Sequence, residues 1–161
     1  MQEHKPTDNR GIGVRALGVV DAPTAEVWPV LRDCQHFSAF MPRTRASSVR
    51  EEDGARVCHV ELKMPWPLTD LWSDSKSIER EEPDGRFMRS WSLVRGTYRR
   101  NQGSWALVPW GVEGRQTLIV YVIDSDPSVV IPDAILRSAQ VGALPDVFTS
   151  IRKRVQALRK N

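Results

Sequence analysis

The sequence predicts an α+β domain in which a curved antiparallel sheet of six or seven strands wraps around one long C-terminal helix. Three observations carry this prediction. Between Met41 and Asp124 the apolar residues follow period two, the spacing of half-buried strands. The turn signals inside that region, Asp53-Gly54, Pro83-Asp84-Gly85, Gly103 and Gly111 to Gly114, stand too close together for crossover helices, so neighbouring strands pair antiparallel. Beyond Asp124 the pattern turns helical and keeps one apolar face for about seven turns.

Residues 1–12 are polar, contain Pro6 and Gly11, and read as a flexible lead-in to a single domain over 13–161. Gly13 to Val20 is short and apolar-rich and runs into Asp21-Ala22-Pro23, which suits a strand entering a turn. Thr24 is placed to cap a helix carrying Val27, Trp28 and Leu31, shortened or kinked by Pro29. A second short helical or irregular stretch spans Cys34 to Met41. Cys58, Val60, Leu62 and Met64 then alternate with Val57, His59, Glu61 and Lys63 in the clearest strand of the chain. Other strands are expected at 45–52, 72–80, 86–95, 104–110 and 116–123. In the last element Pro132 suits the first helical position, and Ile131, Ile135, Ala139, Ala143, Val147, Ile151, Val155 and Leu158 form the stripe. Pro145 removes a backbone bond to the Val141 carbonyl, so a bend is expected there.

Composition narrows the function classes. The chain has 161 residues, 40% hydrophobic and 27% charged, enough for a core without covalent staples. Cys34 and Cys58 match no metal-ligand spacing, and apolar surroundings favour buried free thiols over a bridge. The first ten residues show no apolar run of signal-peptide type, and no stretch approaches the roughly 18 apolar residues of a membrane span. A cytoplasmic location is therefore expected. The net charge of +3 is small, but Arg152, Lys153, Arg154, Arg159 and Lys160 concentrate positive charge at the C-terminus. They serve either the helix dipole or attraction to an anionic surface.

One helix laid across a curled sheet leaves space that two packed sheets would fill, and Ala139 and Ala143 put small residues at its centre. They line a pocket or permit close approach of helix and sheet. Trp91 and Trp105 lie on strands where either can face that space, or pack in the core. Trp66 and Trp110 adjoin prolines in loop-like settings, as half-buried anchors or as residues for transient membrane contact. His4, His36 and His59 fall in separate elements, and no phosphate loop, zinc spacing or nucleophile elbow is present, so no catalytic residue, metal ligand or cofactor is assigned. Arg95, Arg99 and Arg100 cluster near Tyr98, yet no RNA-binding platform accompanies them, and no nucleic-acid partner is expected.

Three stretches resemble the START (steroidogenic acute regulatory protein related lipid transfer) superfamily of helix-grip proteins, which includes bacterial polyketide cyclases and dehydrases. The run from Asp21 to Trp28 is similar to the entry into the first helix, and Lys63-Met64-Pro65-Trp66-Pro67-Leu68-Thr69-Asp70 to the segment leading into the middle of the sheet. Gly103, Trp105, Leu107 and Pro109, then Val120-Tyr121, Asp126-Pro127, Ile131-Pro132, Leu144-Pro145 and Ile151-Arg152-Lys153, resemble the last strands and the lid helix. The likeness covers about residues 14 to 158. It implies a hydrophobic ligand of lipid, sterol or polyketide-like class held between sheet and helix by a carrier or sensor, with a cyclase or dehydrase as the alternative. Met64, Trp91, Trp105, Tyr121, Ile135, Ala139, Ala143 and Val147 are the expected ligand-binding residues. Where START domains commonly carry an Arg-Asp pair, this chain has Leu71-Trp72, so binding is expected to rest on apolar burial.

Overall fold

A computed structural model describes residues 2–4 and 11–161. Eight strands form one antiparallel sheet: β1 (Gln2–His4), β2 (Ile12–Val20), β3 (Thr44–Glu52), β4 (Ala55–Leu62), β5 (Leu71–Glu81), β6 (Phe87–Gly96), β7 (Tyr98–Trp110) and β8 (Gln116–Pro127). Their spatial order is β1-β2-β8-β7-β6-β5-β4-β3, so every neighbour except the β2–β8 pair is also a neighbour in sequence. Seven strands are long, and β1 is a three-residue edge strand paired with Gly13 to Arg15. The expected lead-in, 1–12, thus contains a strand, and its residues 5–10 lie outside the described residues.

Helix α1 (Thr24–Arg32) follows β2, then a 3₁₀ turn (Cys34–His36) and α2 (Phe37–Phe40). Pro23, not Thr24, is the N-cap of α1, and no side chain caps it. The C-terminal helix is two helices, α3 (Asp133–Gln140) and α4 (Leu144–Arg159). The expected bend is a full break at 141–143, because Pro145 has no N–H to give the Val141 carbonyl and opens α4 in its first turn, where its ring fits.

α4 seats on β2 at Gly18, where an added Cβ would lie 2.4 Å from the Phe148 ring. Phe148, Ile151 and Val155 of α4 join Val27, Trp28 and Leu31 of α1 and Leu107 and Ile119 of the sheet in the main buried cluster. The stripe ends there, since Leu158 is 45% exposed. The basic C-terminus is largely absorbed by the same seam. Arg152 donates to the Val19 carbonyl at 2.9 Å, Arg154 lies over the Phe40 ring, and Arg159 pairs with Glu26. A second cluster, Met64, Leu71 and Tyr98 with Leu68, Ile131 and Ile135 packed around it, closes the opposite end.

The structure corrects the expectation of free thiols: Cys34 and Cys58 form a disulfide, their Cα atoms 6.1 Å apart. Both are buried, and the 3₁₀ turn lies over β3 and β4, held also by Gln35 Oε1 accepting from Val49 N–H at 2.9 Å. Apolar surroundings alone do not distinguish two buried thiols from a bridge; the contact between turn and strand decides it. A bridge and a reducing compartment make opposite demands, so the cysteines lend no support to a cytoplasmic location. Among the described residues no helix is long and apolar enough to cross a membrane. The bridge spans 24 residues of sequence, and closing a loop of that length stabilises by about 3 kcal/mol. Replacing both cysteines by serine should lower unfolding free energy by roughly that amount in urea titrations; an unchanged midpoint would contradict a formed bridge.

Candidate functional site

The two clusters leave a cavity of about 210 Å³ between them, under α3 and α4. Its wall is aromatic. Trp105 and Tyr121 are direct cross-strand partners on β7 and β8, and their rings stack with centroids 4.1 Å apart. Trp91, on β6, lies 6.1 Å from the Tyr121 ring at a 24° interplanar angle. It reaches that position by crossing Gly103, its partner on β7, where a Cβ would lie 2.5 Å from the indole. Gly103 is therefore not a turn, as its sequence setting suggests, but the point inside β7 that lets the indole lie flat on the sheet.

The residues expected from sequence fall as follows. Met64, Trp91, Trp105, Tyr121, Ala139, Ala143 and Val147 line the cavity. Ile135 does not; it packs in the closed end, and Leu136, one position on, lines the cavity instead. Leu136 stands three and four residues before Ala139 and Gln140, on the face of α3 that they turn to the cavity, and Ile135 sits at the edge of that face. Trp66 is 92% exposed on the β4–β5 loop, and Trp110 is 49% exposed at the end of β7. Trp66 is therefore not the half-buried anchor that its loop setting allowed, while Trp110 is half-buried. They lie at opposite ends of the sheet, Trp66 beyond the Leu62–Leu71 pair and Trp110 beside the β5–β6 turn.

Several cavity residues escape the sequence reading. Arg89 is 6% exposed and lines the cavity beside Phe37. Its signal was present, since Phe87, Arg89, Trp91 and Leu93 share one face of β6. Asn101, Ser125 and Gln140 bring polar groups that no local pattern marks. Trp91 Nε1 donates to Asn101 Oδ1 at 3.4 Å, and Gln140 Nε2 donates to Ser125 Oγ at 2.7 Å. Burial raises the Tyr98 and Tyr121 phenols well above their ordinary value, so both stay protonated as donors. No carboxylate or histidine is among the described lining residues, and no cluster of metal-ligating side chains occurs among the described residues.

The opposite face of the sheet carries carboxylates and a histidine instead. Asp74, 3% exposed, accepts from Arg50 at 2.5 Å, His59 Nδ1 at 2.7 Å and Arg95 Nε at 3.0 Å, while His59 Nε2 meets Glu61 at 3.1 Å. Burial works against the charged form of His59, but its bonds to Glu61 and Asp74 outweigh it and raise the imidazole pKa. Burial likewise works against ionised Asp74, and Arg50 and His59 outweigh it and lower its pKa.

The chain belongs to the polyketide cyclase/dehydrase and lipid transport family, whose sequence pattern matches residues 20–152. Solved structures share the fold at low identity. A STAR-related lipid transfer protein from Xanthomonas axonopodis is 19% identical with a TM-score of 0.73, over 91% of this chain and 86% of its own. Human StAR-related lipid transfer protein 5 is 14% identical with a TM-score of 0.78, over 98% and 81%. The ZhuI aromatase/cyclase from Streptomyces sp. R1128 is 15% identical with a TM-score of 0.69, over 89% and 93%. No curated protein matches the chain by sequence.

The electrostatic ladder sets a pH window. His59, with its raised pKa, stabilises the fold fully below about pH 6.5 and less as pH rises through its folded value. Asp74, with its lowered pKa, stabilises above about pH 4 and less as pH falls through its folded value. The difference in melting temperature between the native chain and His59→Gln should thus be largest between about pH 4 and 6.5 and shrink on either side. A difference independent of pH would contradict the ladder.

Proposed function

We propose that the chain binds one compact hydrophobic molecule in the cavity, as a carrier or sensor. The observation that carries this reading is the aromatic wall of Trp91, Trp105 and Tyr121 facing small residues of the helices, Ala139 and Ala143. At about 210 Å³ the space is smaller than the roughly 300–1,000 Å³ of drug-sized sites, so it suits a ring system or a short chain and not a two-chain phospholipid. Described lining residues without a carboxylate or histidine among them favour carriage over proton-transfer chemistry. The named relatives include both a lipid transfer protein and an aromatase/cyclase. Turnover of a polyketide-like aromatic would therefore move the reading to a cyclase or dehydrase.

Exchange with a bilayer would use the end of the sheet that carries Trp66. Val130, 96% exposed, lies at that end, because Leu68 and Ile131 of the same two loops pack on one cluster. Both side chains are of the kind that enters the membrane interface.

A neutral fluorescent probe tests the cavity. N-phenyl-1-naphthylamine should bind with one site per chain and brighten, and Ala139→Trp should abolish the signal while leaving a cooperative thermal transition. In a filled core the same substitution would cost about 1–3 kcal/mol by overpacking. No binding by the native chain, or full binding by the tryptophan variant, would contradict the proposal.

A further inference from the structure

Arg89 stands in an environment that ordinarily excludes an unpaired charge. Its guanidinium donates one hydrogen bond, from Nη1 to the Leu31 carbonyl at 3.3 Å, and lies 5.9 Å from the Phe37 ring centroid. Among the described residues no carboxylate comes within ion-pair distance of it. Glu79 is directly opposite on β5, but it bonds Arg32 Nη2 at 2.8 Å. Arg32 and Arg56 add like charge. Burial pushes the Arg89 pKa down, Glu79 opposes the shift from a distance and Arg56 and Arg32 add to it, yet a guanidinium remains charged in proteins. A buried cation with four of its five N–H donors unused is a site for an anion.

The cavity has a second polar end. Arg89 pairs across the sheet with Trp105, and four residues along β7 Asn101 pairs with Ser125. At about 3.3 Å per residue the two rows stand about 13 Å apart. Gln140 lies at the Ser125 end, with its Oε1 buried and without a hydrogen-bond partner. That oxygen is an acceptor awaiting a donor. Trp105 and Tyr121 stack in the Arg89 row, and Trp91, opposite Gly103 in the next row, carries the aromatic wall toward the Asn101 end.

Resting on the ligand-binding reading above, we propose that the cavity takes a flat, ring-bearing monocarboxylate whose acid group pairs with Arg89 and whose far hydroxyl donates to Gln140 Oε1. One guanidinium balances one carboxylate, and charge-assisted bonds of this kind are the strong ones. A phosphodiester headgroup would bring two ester arms that a space of about 210 Å³ does not hold.

Calorimetric titrations with 4′-hydroxybiphenyl-4-carboxylate, its methyl ester and biphenyl-4-carboxylate test both ends. The native chain should bind the hydroxy acid at least tenfold more tightly than the ester. Arg89→Gln should erase that preference, and Arg89→Lys should retain part of it. Gln140→Leu should erase the advantage of the hydroxy acid over biphenyl-4-carboxylate. Should Arg89→Gln fail to fold, the acid-to-ester ratio of the native chain and of Arg89→Lys decides. Equal affinity for acid and ester in the native chain, or a preference that survives Arg89→Gln, overturns the inference. If N-phenyl-1-naphthylamine binds and the acid does not, the acid site falls and the cavity stands. If neither binds, the ligand-binding reading falls with it.

Discussion

Phe148 can lie against β2 only because residue 18 is glycine, and the position of α4 follows from that contact. With its ring pressed onto the Gly18 backbone, α4 is committed to the β2 and α1 end of the sheet, where Ile151 and Val155 complete a dense core. The chain must then cross the remaining width with α3, eight residues long and offset by the break before Pro145. Ala139 and Ala143 face the sheet at this crossing, and neither reaches the opposite wall. A sheet this wide and curled cannot be filled by short helices carrying small side chains, so the space beneath them stays open. Gly103 makes the same kind of accommodation from the other side, by letting Trp91 lie across β7.

The two faces of the sheet treat charge differently. On the outer face Asp74 is nearly inaccessible, and two arginines and His59 surround it; Arg95 and Arg50 also bond Glu52, which extends the ladder to β3. Such a network answers the desolvation of its central carboxylate with direct bonds. On the inner face Arg89 is as deeply buried and lacks that answer, because Glu79 is taken by Arg32. The Cys34–Cys58 bridge lies beside this inner end, with Cys58 in the cavity wall and Cys34 holding the turn that leads to Phe37. Covalent closure and unpaired charge thus meet at one end of the cavity.

Periodicity made the order of elements legible. The alternation of Cys58, Val60, Leu62 and Met64 placed one face of β4 on the cavity, and the small residues at 139 and 143 marked the open part of the helices. What stayed hidden depended on contacts between distant segments. Ile135 and Leu136 are one residue apart and equally apolar, and which one faces inward is settled by how α3 is rotated against the sheet, with Leu136 beside Ala139 and Gln140. Gly103 carries the same letter as a turn glycine, and its role appears only when Trp91 crosses it. No sequence pattern marks Arg89 as unpaired, because its missing counter-ion is a matter of where Glu79 and Arg32 point. Cys34 and Cys58 gave no spacing signal, since their contact joins a turn to a strand.

Every functional statement rests on the cavity holding a molecule other than water. Native mass spectrometry of the chain purified without detergent from its own source tests this most directly. The account predicts a single non-covalent adduct per chain, lost on organic extraction and small enough to be one ring system or one short chain. A bare mass in every charge state, together with failure to take up any apolar acid or neutral probe afterwards, would contradict it.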